Sequence, residues 1–149
     1  MKIEQKLVEM GIDLPAAPKP AASYVNCVRT GNLVYVSGMG ATVNGHTPSG
    51  KVGVDLTTDE AADQARTVGI NILGVLKEEL GDLDRVTKVV KLLGMVNCAP
   101  EFEEMSYVIN GCSDLFTEIF GAGHARSAVG MVSLPFGLSV EIEAIFEVD

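Results

Sequence analysis

Hydrophobic and polar positions alternate most strictly near the C-terminal end of the chain. Every second residue from Leu138 to Val148 is apolar, and the positions between them are mostly polar and include three glutamates. Alternation with a period of two predicts a β-strand with one buried face. A similar run begins near His124, and the intervening Pro135-Phe136-Gly137 predicts the turn of a hairpin between the two runs.

Two longer segments repeat with helical spacing instead. Residues 57–80 carry one apolar stripe, formed by Ala61, Ala65, Val68, Ile72, Leu76 and Leu80. Thr57 followed by Glu60 is typical of a capping box at the start of a helix, and Gly81 predicts its end. A second stripe over residues 102–119 predicts another amphipathic helix, with Pro100 suited to its first turn and Gly121 ending it.

The remaining elements complete an α+β pattern. Residues 24–28 and 33–37 predict two short strands joined by a tight turn at residues 29–32, and the β-branched run 85–96 predicts a central strand. Residues 38–55 are rich in glycine and predict a loop with room for one short strand. We therefore expect one domain over residues 1–149, with the two long helices on one face of a single sheet.

The N-terminal segment and the other sheet face add two expectations. Residues 1–20 predict a short helix over 2–11 followed by a proline-rich connector. A sheet face left without helices predicts a symmetric homo-oligomer that packs through it. The mean hydropathy of +0.27, high for a small domain, favours the same interpretation.

Composition excludes several classes of function. The net charge of −9 and the scattered basic residues argue against a nucleic-acid-binding surface. No apolar stretch is long enough to span a membrane, and the N-terminus lacks a signal core. Three widely spaced cysteines predict neither a disulfide framework nor a zinc site and are typical of a reducing cytoplasm. The two histidines, His46 and His124, are too far apart in sequence to indicate a metal site, so no metal is expected.

Two motifs are similar to a known family. The run Ala125-Arg126-Ser127-Ala128-Val129, then Leu134-Pro135 and Val140-Glu141-Ile142-Glu143-Ala144, resembles the C-terminal signature of the YjgF or Rid (reactive-intermediate deaminase) family, also called the L-PSP endoribonuclease family. Tyr24 with Gly31 to Gly38 resembles the first hairpin of that family. The resemblance covers roughly residues 20–148.

The resemblance implies a chorismate-mutase-like fold, a six-stranded mixed sheet with two long helices on one face. It also implies a homotrimer whose clefts between subunits bind small carboxylates. Members of the family with deaminase activity hydrolyse 2-imino acids, such as 2-aminoacrylate and its tautomer, to 2-keto acids and ammonia. No cofactor is expected, because an imine carbon is already electrophilic.

The same resemblance assigns roles to individual residues. Arg126 matches the arginine that binds the substrate carboxylate, for which a guanidinium group is well suited. Glu141 matches the glutamate that positions the attacking water. The cleft-lining positions fall on Tyr24, Ser37, Gly38 and, after a one-residue shift, Asn110. Without the motif, a carboxyl cap for Arg126 and a solvated strand face for Glu141 would be the simpler interpretations.

Three further positions bear on whether the expected deamination takes place. Ala128 stands where the family has an active-site cysteine, and Met39 stands where it often has a glutamine. His124, two residues before Arg126, is either a pocket residue or an exposed loop histidine. The alternatives to a deaminase are therefore a carboxylate-binding trimer without efficient turnover and, disfavoured by the acidic charge, an endoribonuclease.

The predicted hairpin has a consequence for the site. A turn at residues 135–137 would place Glu141 opposite Met131 and Arg126 opposite Phe146. The two proposed site residues would then lie about 16 Å apart along the hairpin. We therefore expect that they meet only between subunits, or through a bulge.

Overall fold

A computed structural model describes residues 2–149 of the chain and shows a five-stranded sheet with three helices. In chain order the elements are α1 (Lys2–Glu9), β1 (Cys27–Thr30), β2 (Leu33–Met39), α2 (Thr58–Leu80), β3 (Val86–Asn97), α3 (Met105–Phe120), β4 (Ala125–Met131) and β5 (Val140–Val148). The sheet order is β1-β2-β5-β3-β4, with β4 parallel to β3 and the other neighbours antiparallel. The predicted α+β class is confirmed. Met1, the first residue of the predicted domain, lies outside the described residues.

The sheet has five strands where the family resemblance implied six. Residues 40–57 form only isolated bridges, such as Val43 with His46 and Val52 with Cys98. Gly45, Gly50 and Gly53 all have positive φ angles there, and a chain that turns so often cannot form a ladder.

The predicted C-terminal hairpin is wrong, because β3 lies between β4 and β5. Strand β3 pairs with β4 on one side and with β5 on the other. Its connection to β4 runs through α3, the helical crossover that parallel neighbours require. The short 3₁₀ turn Pro135–Gly137 therefore carries the chain past the end of β3, where the backbone N–H of Asn97 donates to the carbonyl of Ser139.

Two element boundaries in the structure differ from the predicted ones. Strand β1 extends through Arg29 and Thr30, so the turn to β2 shrinks to Gly31 and Asn32. The third helix begins at Met105 rather than at Pro100, and its N-cap Glu104 makes no side-chain capping bond. The capping box of α2 is confirmed, since Thr57 accepts from the backbone of Glu60 and Glu60 from that of Thr57.

The core lies between one face of the sheet and the pair α2 and α3. Phe146 of β5 packs edge-on against Phe116 of α3, with ring centroids 5.7 Å apart. The opposite sheet face has no helix over it in residues 2–149, and it carries Val28, Tyr35 and Ile145 in register across three strands. Tyr35 remains 45% exposed.

The contact of Gly111 with α2 provides a test of the helix packing. A Cβ at Gly111 of α3 would overlap the carbonyl oxygen of Ala62 in α2 and lie 3.2 Å from the Arg66 amide nitrogen. Backbone atoms cannot move aside, so we expect Gly111→Ala to lower the free energy of unfolding by about 3 kcal/mol, despite the better helix propensity of alanine. Urea unfolding followed by circular dichroism measures this change.

A matched glycine supplies the control for this prediction. A Cβ added at Gly123 would meet no atom within 4 Å, and the residue lies outside the helices. Gly123→Ala is therefore expected to change the free energy of unfolding by less than about 0.5 kcal/mol. Equal stability of the Gly111→Ala variant and the wild type would contradict the described crossing.

Candidate functional site

Arg126 is held against helix α3 at an edge strand of the sheet. Its Nη1 donates to Ser113 Oγ at 3.0 Å, and its Nη2 donates to the carbonyl oxygen of Ser106 at 3.2 Å. A guanidinium group has five N–H donors. Within residues 2–149 these two bonds leave the other three donors of Arg126 unused. The half-buried side chain is thus ordered but retains donors for an anion.

His124 belongs to the same cluster. Its Nε2 lies 2.9 Å from Ser113 Oγ, so both His124 and Arg126 contact one hydroxyl group. Burial, and then the charge of Arg126, lower the pKa of His124 below its ordinary value. The imidazole is therefore neutral at physiological pH. His124 is half-buried and lies one residue before β4, so it is not fully exposed.

Asn110 and Ala128 lie beside this cluster. Asn110 is four residues after Ser106 and three before Ser113, so it lies on the same face of α3 as both serines. Ala128 pairs with Gly94 and shares the helix-covered sheet face with Arg126, two residues away. Ala128 packs against the core. It stands at the position of the family's cysteine, but its methyl group can act neither as a nucleophile nor as a proton donor.

Sequence reasoning missed Ser106 and Ser113. Together with Asn110 they form a polar stripe at positions i, i+4 and i+7 of α3, next to the apolar stripe that predicted the helix. A polar row beside the buried row of an amphipathic helix is ordinarily solvated, so the stripe alone did not single out the two serines. Its partner, Arg126, could not be read from the sequence because β4 and α3 come together only through the crossover.

Glu141 lies on the opposite sheet face, against a glycine. A Cβ at Gly38 would be 2.9 Å from Glu141 Cδ, so the absence of a side chain at Gly38 makes room for the carboxylate. Partial burial, and then the charge of Glu143, raise the pKa of Glu141. A carboxylate with a raised pKa is a better proton acceptor than an ordinary surface glutamate.

Ser37 and Gly38 occupy a bulge in the β2–β5 ladder. Val36 pairs with Ala144 and Met39 with Ile142, so three steps along β2 match two steps along β5. Ser37 Oγ donates to the carbonyl of Val25 at 2.6 Å, which ties the bulge to the segment that carries the exposed Tyr24. Ser37, Gly38 and Glu141 therefore form a second cluster, and the bond of Ser37 connects it to the segment that contains Tyr24.

The two clusters do not share one pocket within a chain. Arg126 is in register with Leu92 and, across β3, with Ala144, whereas Glu141 is in register with Met95. Ala144, in register with Arg126, is three residues from Glu141 on β5, and side chains an odd number of residues apart on a strand lie on opposite faces. Arg126 and Glu141 are therefore on opposite faces of the sheet. The Cα atoms of Arg126 and Glu141 are separated by two strand spacings across the sheet and by three residues along a strand, so they lie roughly 14 Å apart. The predicted pairings of Glu141 with Met131 and of Arg126 with Phe146 are wrong.

The family is decided by comparison with known proteins. The family model described as endoribonuclease L-PSP matches residues 14–148. The chain belongs to the endoribonuclease L-PSP family. This is the YjgF or Rid family to which the two sequence motifs point, so that prediction is confirmed.

Relatives of this L-PSP family protein extend over nearly its whole length. Protein TCP17 of Trypanosoma cruzi is 42% identical over 99% of the chain and 95% of that protein. A crystal structure of the protein Atu1372 from Agrobacterium tumefaciens is 45% identical, with a TM-score of 0.92 over 99% of this chain and 93% of the other. A 2-iminobutanoate/2-iminopropanoate deaminase of Dermatophagoides farinae is 28% identical over 93% of the chain and 95% of that protein.

Other kinds of site are not found in the described part of this L-PSP family protein. Residues 2–149 contain no group of three or more His, Cys, Asp or Glu side chains that could hold a metal ion. None of the helices within that range is long and apolar enough to cross a membrane.

Proposed function

We propose that this protein hydrolyses 2-imino acids, the tautomers of 2-aminoacrylate-type enamines, to 2-keto acids and ammonia. The observation that carries the proposal is Arg126, which two bonds to α3 hold in place while three N–H donors stay unused in the described chain. Such a group suits the carboxylate that every 2-imino acid carries. The name of the Dermatophagoides farinae relative supports the same reaction class.

The proposed reaction needs one water and no redox step. Arg126 binds the carboxylate, and Glu141 orients a water molecule and accepts its proton. The water oxygen bonds to the imine carbon, and the imine nitrogen takes up a proton. In the tetrahedral product the hydroxyl proton passes by way of Glu141 to the amino nitrogen, the C–N bond breaks, and ammonia leaves the 2-keto acid. Glu141, with its raised pKa, is suited to move these protons.

We place the site between subunits of a homotrimer, the arrangement that the family resemblance implies. Arg126 and Glu141 lie on opposite faces of one sheet, so one small substrate cannot touch both in a single chain. The apolar row Val28, Tyr35 and Ile145 on the uncovered face supports association with other copies. Joining the β4 edge of one copy to the Glu141 face of the next is a heterologous contact, and such a contact forms a closed trimer when each copy is rotated by one third of a turn. A cytoplasmic location, where the three free cysteines stay reduced, fits this assignment.

A competition assay tests the activity. An amino-acid oxidase generates 2-iminopropionate or 2-iminobutyrate from alanine or 2-aminobutyrate, and semicarbazide traps whatever imine persists. We expect the protein to lower the rate of imine-derived semicarbazone formation in proportion to its concentration. An unchanged rate with folded protein would overturn the deaminase assignment. Light scattering on the same sample tests for three times the chain mass of 15.7 kDa.

A carboxylate-binding trimer without efficient turnover is the second candidate. Ala128 favours it, because that methyl group stands at the family's cysteine position next to Arg126. Calorimetric titration with 2-oxobutyrate separates the two candidates. Binding that depends on Arg126, in a protein inactive in the competition assay, would support the binding module.

A further inference from the structure

We infer that Ser113 is a positioning residue, whose hydroxyl holds the guanidinium of Arg126 in place and keeps His124 in the Nδ1–H tautomer. The inference rests on the proposed function only for its kinetic consequence. Ser113 is 8% exposed and lies at the centre of a three-residue hydrogen-bonded chain, with Arg126 on one side and His124 on the other.

The assignment of protons follows from which groups can only donate. Arg126 Nη1 has no acceptor capacity, so Ser113 Oγ must accept in the 3.0 Å bond between them. The Ser113 hydroxyl proton then needs an acceptor of its own. Among residues 2–149 the other partner of Ser113 Oγ is His124 Nε2, at 2.9 Å. Ser113 therefore donates to Nε2, and the proton of the neutral ring is on Nδ1.

Ser113 is the one hydrogen-bond partner of the His124 ring within residues 2–149. The Nδ1 atom of His124 is buried and has no hydrogen-bond partner within the described residues, so Ser113 alone orients the ring by hydrogen bonding. Burial and the charge of Arg126 both disfavour a second proton on the ring. A doubly protonated ring would lose its acceptor at Nε2, and the Ser113 hydroxyl could no longer bridge the two side chains.

The bridge matters because arginine is long and flexible. Ser113 and the Ser106 carbonyl fix the guanidinium group through two of its nitrogens, Nη1 and Nη2. A free arginine side chain must be ordered each time a ligand binds, which weakens binding, whereas an ordered one has already met that entropy cost. Loss of the Ser113 hydroxyl should therefore raise KM for the 2-imino acid about tenfold and leave kcat within about threefold.

Two hydroxyl groups of α3 provide a matched pair of variants. Ser113 contacts Arg126 through its side chain, whereas Thr117, one turn further along α3, is exposed and its side chain makes no hydrogen bond within residues 2–149. We expect Ser113→Ala to raise KM and Thr117→Ala to leave it unchanged. Ser113→Thr, which keeps a hydroxyl, should restore part of the lost affinity. Equal KM values for Ser113→Ala and wild type would overturn the inference.

Nuclear magnetic resonance tests the tautomer without any activity. The chain has two histidines, so His46→Gln leaves the signals of His124 alone. Long-range ¹⁵N–¹H correlations at neutral pH should show Nδ1–H in the His46→Gln protein, and a population of Nε2–H after Ser113→Ala is added. Observation of Nε2–H before that change, or of the same tautomer after it, would overturn the inference. An inactive wild type would count against the proposed function, and the tautomer would still decide the role of Ser113.

Discussion

Replacing Arg126 with alanine is expected to lower kcat/KM for 2-iminopropionate by at least about a hundredfold, because the substrate carboxylate loses a charged partner in a half-buried site. Most of this loss should lie in KM, since Arg126 contacts a group that carries its charge before and during the reaction. Arg126→Lys should recover only part of the loss, because an ammonium group cannot make a bidentate contact. Initial rates in the semicarbazide competition assay measure all three proteins.

Arg29 provides a matched control for this prediction. Like Arg126, it donates to backbone carbonyls, those of Gly31 and Asp149, but it is exposed and distant in the sheet order from β4. Arg29→Ala should therefore leave kcat/KM within about twofold of the wild type. A fully active Arg126→Ala protein would remove the basis for the proposed carboxylate site.

Replacing Glu141 with glutamine is expected to lower kcat by about a hundredfold or more, with KM nearly unchanged, because the amide can still orient water but cannot accept its proton. Glu143 is the matched control, as it lies two residues away on the same sheet face and is exposed. Glu143→Gln should leave kcat within about threefold. A larger loss in Glu143→Gln than in Glu141→Gln would exchange the roles of the two carboxylates.

The same Glu141 substitution should stabilise the fold at neutral pH. Burial raises the pKa of Glu141 in the folded chain above the ordinary value of 4.5, so the folded state holds its proton more tightly than the unfolded state. The stability of the wild type therefore falls as pH rises from 4.5 through the raised pKa. We expect a higher Tm for Glu141→Gln than for wild type at about pH 7, and a smaller difference at about pH 4. A lower Tm at neutral pH would mean that the carboxylate has a stabilising partner.

A mixture of the two inactive variants tests the site between subunits. In hetero-trimers of Arg126→Ala and Glu141→Gln chains, about one third of the clefts should combine an intact Arg126 with an intact Glu141. Co-expression with two affinity tags and assay of the doubly purified protein would measure this recovery. No recovery in verified hetero-oligomers would contradict a site built from two chains.

Local patterns were sufficient for much of the fold. The capping box Thr57 and Glu60, the apolar stripe of α2 and the alternation in β5 all depend on contacts a few residues apart or on burial of one face. The family motif then pointed to Arg126 and Glu141, neither of which composition or periodicity would have selected. The bulge at Ser37 and Gly38 had no such signal, because it exists only in the pairing of β2 with β5.

Strand order was the point at which the sequence was insufficient. Two alternating runs around Pro135–Gly137 suit a hairpin locally, and nothing in them reveals that β3 lies between them. Pairing of β3 with both strands depends on contacts between residues distant in the chain and on the α3 crossover. The sequence by itself determined which residues are apolar and which form turns, and the family resemblance selected the residues that we propose carry the chemistry. Only the tertiary structure decided that Arg126 faces Ser113 while Glu141 faces Gly38, because sheet face and strand order depend on non-local pairing.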